Sequence, residues 1–301
     1  MYIDRHKPFG KVHQATNDMF DKILVPVDFS AKSNHSLEMA SQIVSQSHGE
    51  IDLFHVVQAA LAVRLNEAGE YESLGKSGQN FLIEILETNK KRLKRLAEKY
   101  ESDQCKINLR LKVDDIPDNV AEHIHEENYD LLIVGGHTDY KLHEAFGENH
   151  NEKIVKLAKK PVLVMNKAPE ADGIKKIVVP TNFTDDYGEQ AEVLKEVQRF
   201  FKARIEFVHI NTPSYFATTY QLDKLMYGFQ ERYQFENCSF EIISDKDRKK
   251  GILTAIDYLK ADMVCVLSFQ SKSLNRFFRG DVTEYLVNHC TAPVMVLNVR
   301  R

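Results

Sequence analysis

Two stretches of sequence, KILVPVDFS at residues 22–30 and KIVVPTNFT at residues 176–184, decide the fold of this protein. Each joins a short apolar, β-branched run to a proline, an Asp or Asn, a phenylalanine and a hydroxyl residue. This pattern predicts a buried strand that turns into a helix. The second stretch begins 154 residues after the first, so the chain repeats one structural unit.

Three further apolar segments recur in the same order and support the duplication. They are DLFHVV (52–57) with EFVHIN (206–211), YDLLIV (129–134) with ADMVCV (261–266), and PVLVMN (161–166) with PVMVLN (293–298). The offset falls from 154 to 132 after the first of these pairs. The first half therefore carries 22 additional residues, which we place in the polar stretch 59–80.

Strands and helices are predicted to alternate in each repeat. In the first repeat, strands are predicted at 22–27, 51–57, 105–113, 129–135 and 161–166, and helices at 31–47, 81–100, 116–127 and 149–159. Continuous apolar strands of this kind indicate a parallel sheet covered on both faces. Right-handed crossovers then give an α/β, doubly wound domain, with a ligand crevice where the winding reverses.

The length of 301 residues and the duplication together predict two domains. We expect a flexible N-terminal extension at 1–20, a first domain at 21–167, a linker at 168–174 and a second domain at 175–301. The linker lies within KAPEADGIK, where proline and glycine interrupt the pattern.

Composition limits the classes of partner. A net charge of -4 gives no general attraction to polyanions, so we expect neither nucleic acid nor membrane as a partner. No window approaches the roughly 18 apolar residues that a membrane span needs. The four cysteines are scattered without a CxxC pair, which favours a reducing, cytoplasmic location.

The strand endings VPVDFS and FHVV, the glycine loop after YDLLIV and the last strand PVLVM resemble the universal stress protein family. Since the second half repeats the set, the chain from about residue 21 is similar to a tandem member. The resemblance implies two five-stranded parallel sheets of the adenine nucleotide alpha hydrolase-like, Rossmann-like type. It also implies a pseudo-twofold relation in which 161–166 pairs with 293–298. That pairing makes dimers of single-domain members and would make an intramolecular pseudo-dimer here.

Many members of this family bind ATP through an acidic residue after the first strand, backbone at the end of the second, and a G-x2-G-x9-G-[ST] loop. The resemblance therefore implies one set of nucleotide-binding candidates, all in the first half: Pro26, Asp28, Val56, Gly135, Gly136 and Gly147. Glycines let backbone approach a phosphate, and a helix start offers unpaired amides to it. Asp28 fits a second role as a helix cap, and the sequence leaves both roles open.

The loop GGHTDYKLHEAFGEN (135–149) departs from that motif. Thr138 replaces the second glycine, the spacing to the last glycine is one residue short, and Glu148 replaces the hydroxyl residue. A carboxylate there would face triphosphate oxygens, and two unit charges about 4 Å apart repel by about 1 kcal/mol in water and more when partly buried. These changes argue against a triphosphate ligand.

The second half departs further. Asn182 stands at the aspartate position, Ser268 and Ser271 replace glycines, and Asp281 follows the last glycine. Motifs typical of catalysis, including SGGxDS, HxGH, GxSxG, HExxH and the Walker loop, are absent from the sequence. We therefore predict that the chain is not an enzyme and requires no cofactor or metal.

Two functions remain at this point. The first is a non-catalytic stress-response or interaction module with degenerate nucleotide sites. The alternative is a stress sensor that binds an adenine nucleotide through the first domain only, with AMP or ADP easier to accommodate than ATP. The expected partner is an unidentified protein or a second copy of the chain. One aromatic-rich segment, 213–235, fits either core packing or an interface.

Overall fold

The structure is a computed structural model, and it describes residues 18–57, 63–65, 71–73, 75–113, 129–136, 154–155, 158, 160–269 and 281–299. The chain divides into two compact units, Phe20–Ala158 and Lys159–Arg301. Among the described residues, no helix is long and apolar enough to cross a membrane. The predicted extension lies outside these residues as far as residue 17, and a 3-10 turn at Asp18–Phe20 already places the Phe20 ring in the core.

The first unit contains a parallel sheet in the order β6-β1-β2-β5 and a separate antiparallel hairpin of β3 and β4. Its described elements are β1 Lys22–Pro26, α1 Ala31–Ser47, β2 Glu50–Val57, β3 Val63–Leu65, β4 Tyr71–Ser73, α2 Gly75–Glu98, β5 Lys106–Val113 and β6 Leu131–Gly135. The winding reverses between β1 and β6, so the predicted doubly wound arrangement is confirmed.

The polar stretch 59–80 contains more structure than its sequence indicates. The hairpin lies within it, and α2 begins at Gly75 instead of the predicted residue 81. The helix start was predicted too far along the chain because apolar residues at helical spacing begin only at Phe81. The first turn of the helix is polar. Local hydrogen bonding can extend a helix beyond its apolar face.

The described residues of the second unit contain six strands in the order β10-β9-β8-β11-β12-β7. Its elements are β7 Val162–Met165, β8 Lys176–Pro180, α3 Gly188–Phe201, β9 Arg204–Asn211, α4 Thr219–Tyr233, β10 Cys238–Ser244, α5 Arg248–Leu259, β11 Met263–Phe269, α6 Asp281–His289 and β12 Val294–Val299. The winding reverses between β8 and β11, as it does between β1 and β6 in the first unit.

The last strands of the two repeats pair antiparallel, which confirms the pairing predicted for 161–166 and 293–298. Leu163 lies opposite Met295, and Val164 lies opposite Val294. All four side chains are fully buried. Because β7 bonds to β12, it belongs to the compact unit of the second repeat, and the units divide between Ala158 and Lys159, before the strand that the duplication assigns to the first half.

We predict that Leu163→Ala lowers the free energy of unfolding by about 2–5 kcal/mol, because it removes buried methyl groups and leaves a cavity beneath the β7–β12 pair. Leu109→Ala is the matched control, since Leu109 lies on the edge strand β5 and is 38% exposed. Urea unfolding of both variants checks this, and an equal, small loss in the two would contradict the structural role given to β7.

Candidate functional site

The candidate site of the first unit lies where β1 and β6 end, at the reversal of winding. Pro26 ends β1, and Gly135 and Gly136 end and follow β6. A Cβ atom on Gly135 would lie 2.9 Å from the backbone of Lys32 and Ser33, so the end of β6 meets the first turn of α1. Parallel strands present such ends to a ligand at this place in a doubly wound sheet.

Five of the six predicted site residues are among the described residues. That they contact a ligand stays a prediction. Val56 is buried on β2, Pro26 is half-buried, and Asp28 is exposed. Gly147 lies outside the described residues, as does the rest of 137–153.

The carboxylate of Asp28 caps the turn between β1 and α1. Its Oδ1 accepts a hydrogen bond from the Ser30 backbone N–H (2.9 Å), and the Ser30 hydroxyl in turn accepts from the Ser33 N–H at the start of α1 (3.2 Å). Desolvation alone would raise the pKa of Asp28, but the hydrogen bonds from Ser30 and Ser33 outweigh it and lower the pKa. The group is therefore an anion at neutral pH. The N-cap of α1 is Ser30, and Asp28 closes the turn that precedes it.

Phe29 occupies a strained backbone position beside this cap. Its φ is +63°, a left-handed conformation that costs a bulky residue about 1–3 kcal/mol. The ring of His55 packs at 4.6 Å between centroids, and its Nδ1–H donates to the Val27 carbonyl (2.7 Å). On the other side, the Arg92 guanidinium lies 4.0 Å from the Phe29 ring centroid. These contacts hold the turn in place.

The second unit builds the same turn after β8. Phe183 has a φ of +62°, the Asn182 Oδ1 accepts from the Thr184 N–H (3.0 Å), and the Nδ1–H of His209 donates to the Thr181 carbonyl (3.1 Å). Every contact has its counterpart 154 residues earlier. The turn is therefore a structural device of the repeat, which each half forms with its own side chains.

The turn of the second unit differs because other side chains of the protein pack around it. Asn182 is 8% exposed and accepts a second bond, from the Asp185 N–H (3.1 Å). The Tyr187 hydroxyl shares a hydrogen bond of 2.9 Å with Thr181 Oγ1, and the Tyr187 backbone N–H donates to the hydroxyl of Tyr233 (2.7 Å). Burial raises the pKa of the Tyr187 hydroxyl, which keeps it neutral.

Aromatic packing completes the closure. The ring of Phe183 packs against Phe229 (5.5 Å) and Phe240 (5.7 Å) and is 5% exposed. At the same position in the first unit, Phe29 meets the exposed Arg92 instead of a second aromatic ring. Among the described residues, the ring of Phe29 therefore meets a cation, whereas the ring of Phe183 is packed among aromatic side chains. The buried Asp185 also bonds to Asn182 in the second turn.

The described residues offer little reactive chemistry. All four cysteines are buried free thiols, and burial raises the pKa of each, for example to about 11 at Cys290. A thiol protonated in this way is a poor nucleophile. Burial also lowers the pKa of His55 and His209 despite their bonds to carbonyl oxygens. Within the described part of the chain, no group of three potential metal ligands comes together.

A surface cleft of about 430 Å³ lies at the opposite edge of the first sheet, among the amino ends of β1, β2 and β5. Carboxylates and lysines alternate along it, including Asp21, Lys22, Glu50 and Lys106. Lys106 Nζ already pairs with the Glu50 carboxylate at 2.9 Å. The cleft is therefore separate from the predicted site and largely self-neutralised.

Sequence reasoning missed two functional features of the turn. The recurrence of phenylalanine at 29 and 183 was visible, but nothing in the sequence indicated a positive φ at a residue other than glycine. Nor does the sequence indicate the contact of Arg92 with Phe29, because a stacking contact with a ring 63 residues away leaves no local signal.

The fold is that of a duplicated, doubly wound α/β protein. A sequence model of the Universal stress protein family matches residues 19–166 and again 173–298. The chain belongs to the universal stress protein family and contains two of its domains, as the duplication predicts.

Individual relatives agree with this assignment. A universal stress protein of Methanocaldococcus jannaschii is 23% identical over 156 residues, which make up 50% of this chain and 96% of that protein. A solved universal stress protein of Archaeoglobus fulgidus covers 94% of this chain with 98% of its own, at a TM-score of 0.66 and 18% identity. A putative universal stress protein of Pseudomonas aeruginosa covers 93% of this chain with 94% of its own, at a TM-score of 0.62 and 15% identity. The structural likenesses show the fold.

We predict that Gly135→Ala destabilises the protein by about 1–3 kcal/mol, because the new Cβ would press on the backbone of α1 and force it to shift. Gly228→Ala is the matched control within α4: a Cβ there meets nothing within 4 Å, so alanine should stabilise by about 0.4–1 kcal/mol. Thermal unfolding of both variants decides the matter, and a neutral Gly135→Ala would show that β6 and α1 are not in close contact.

We also predict that stability falls on mild acidification because of His209. The pKa of His209 in the folded protein lies below its ordinary value, so the unfolded chain takes up the proton first as the pH falls. The free energy of unfolding therefore decreases as the pH is lowered through the ordinary pKa of histidine. His209→Gln should flatten this decrease between roughly pH 7 and pH 5, whereas His289→Gln, at an exposed position, should not. Urea unfolding across that range is the measurement, and parallel curves for the wild type and His209→Gln would refute the prediction.

Proposed function

We propose that this protein is a non-catalytic stress-response and interaction module whose architecture no longer depends on a bound nucleotide. One observation carries this proposal: the second crevice is filled by the protein's own groups. The buried Asn182 satisfies two backbone N–H groups, and Tyr187 and Phe183 pack where the turn would otherwise be open. A ligand at this place would have to displace packed aromatic rings.

The first crevice supports the same proposal in a different way. Asp28 bonds to Ser30 as Asn182 bonds to Thr184, so its presence is explained by the turn without any ligand. The same bond forms beside the filled crevice of the second unit, which supports the view that the turn needs no bound ligand. Loss of the loop motif at Thr138 and Glu148 adds to this argument from the sequence.

The proposal of a non-catalytic role is supported by the groups available for chemistry. The described thiols are buried and protonated. The two crevice histidines use Nδ1 to hold backbone carbonyls. A nucleophile activated by a positioned base is not found among the described residues. We place the protein in the cytoplasm, where buried thiols stay reduced, and we propose a protein partner or a second copy of the chain.

One observation favours a second candidate, an adenine-nucleotide sensor that uses the first unit only. Asp28 is exposed and ionised, and Gly135 brings the end of β6 to the start of α1. A carboxylate can accept hydrogen bonds from an amino group of a base or from ribose hydroxyls. AMP or ADP would bring fewer charges than ATP to Glu148.

Calorimetric titration of the whole chain with ATP, ADP and AMP separates the two candidates. The leading proposal predicts no heat of binding up to millimolar nucleotide and no release of inorganic phosphate from ATP. Micromolar binding by the wild type that is lost in Asp28→Ala and kept in Asn182→Ala would establish the sensor and overturn the leading proposal for the first unit. Asn182→Ala is the matched control because it removes the same cap from the closed crevice.

A further inference from the structure

Four exposed aromatic side chains lie close together in sequence on the second unit. Tyr215 is 58% exposed, Phe216 70%, Tyr220 79% and Tyr227 40%. Tyr220, Lys224 and Tyr227 stand at helical positions i, i+4 and i+7 and therefore share one face of α4. We call this set, with Tyr215 and Phe216, the aromatic face. Scattered surface aromatics are ordinary, but a cluster of this kind is typical of an interface.

The loop that carries the first two aromatics is held in one conformation. The Asn211 side chain bonds to both backbone groups of Ala217, accepting from its N–H (3.0 Å) and donating to its carbonyl (3.0 Å). Thr218 and Gln221 form a reciprocal capping box at the start of α4. An exposed side chain on a rigid loop loses little conformational entropy on binding.

Buried side chains on the opposite side of α4 hold the helix against the core. Leu222, Met226, Phe229 and Tyr233 are buried on it. Phe229 packs against Phe207 at 5.0 Å between ring centroids. Since the helix already has a well-packed inner side, the outer aromatics are not needed for the core. A partner that covered them would gain the free energy of burying their apolar surface.

Positive charge adjoins the aromatic face. The segment Asp245–Gly251 follows β10, whose last residue lies opposite Asn211, and a Cβ on Gly251 would lie 2.7 Å from the Ile210 side chain. This segment contains four cations, Lys246, Arg248, Lys249 and Lys250, and two carboxylates. Both carboxylates accept backbone N–H bonds, from Asp247 and from Lys250. Lys246 and Lys250 are exposed, and the segment starts beside the aromatic loop because the Asp245 N–H donates to the Asn211 carbonyl (3.3 Å). Cations outnumber carboxylates in this segment, while on α4 the carboxylate of Glu231 bonds to the Tyr227 hydroxyl.

We propose that the aromatic face and these lysines form a docking surface for an acidic polypeptide segment that carries apolar or aromatic anchors. Aromatic anchors with a charged rim are the usual composition of a protein-binding hot spot. A second copy of the chain fits less well, because a twofold contact through this surface would bring two sets of lysines together. A nucleic acid fits less well too, since the whole chain has a net charge of -4. This inference rests on the proposed interaction function and names its surface.

The test uses the whole chain and a synthetic peptide that alternates glutamate with phenylalanine and leucine, with binding followed by fluorescence anisotropy. The wild type should bind this peptide and not its lysine counterpart. The double variant Phe216→Ser with Tyr220→Ser should weaken binding by roughly tenfold or more. Lys224→Glu should weaken it as well and reduce its dependence on salt.

Tyr258→Ser is the matched control, since Tyr258 is 77% exposed on α5 outside the aromatic face, and its binding should equal that of the wild type. All these positions are exposed, so unchanged thermal unfolding should accompany the losses. Absence of binding by the wild type, equal binding of the lysine peptide, an equal loss in Tyr258→Ser, or preference for an oligodeoxythymidine would each overturn the proposal. Nucleotide titration gives a separate readout, so failure of the docking surface and failure of the proposed function remain distinguishable.

Discussion

Both halves of this protein depend on one hydrogen bond from a backbone N–H to the side-chain oxygen two residues before it. The bond joins Ser30 to Asp28 and Thr184 to Asn182. It closes the reversal after the first strand of each repeat, and the intervening phenylalanine takes a left-handed conformation. The strain of about 1–3 kcal/mol is offset by that bond, by the histidine bond to the preceding carbonyl and by ring packing. In the first repeat this turn leads directly into α1 at Ala31, whereas in the second α3 begins only at Gly188.

The two halves share this turn, but the side chains around it differ in charge and in exposure. In the first, the capping group is a carboxylate exposed to water, and an arginine covers the neighbouring ring. In the second, the capping group is a neutral amide that is buried with a tyrosine and several phenylalanines. Asp185 is already buried beside this amide, and burial raises the pKa of its carboxyl. A second carboxylate there would add a large desolvation cost, so asparagine suits the closed crevice. The substitution of Asp by Asn and the filling by aromatics are thus parts of one change.

The fold could be predicted well because the same pattern of apolar segments occurs twice in the sequence. The strands β1 and β8 follow from apolar runs that recur, and the β7–β12 pairing follows from the resemblance to the family. Buried polar groups were not predictable in this way. Asp52 and Glu206 hold equivalent positions inside β2 and β9 and are buried, Asp52 with Tyr129 and Arg110 and Glu206 with Ser239 and Arg204. Apart from Arg204, which shares β9 with Glu206, these partners are distant along the chain, so local periodicity carries no sign of them.

Hydrogen exchange at the Thr184 and Asp185 amides tests most directly whether the second crevice is closed by the protein's own groups. The account predicts slow exchange in the ligand-free protein, because Asn182 accepts from both amides in a buried site. Addition of ATP, ADP or AMP should leave these rates unchanged. Fast exchange without ligand, slowed by any of these nucleotides, would contradict the account and show that the crevice is completed by a nucleotide.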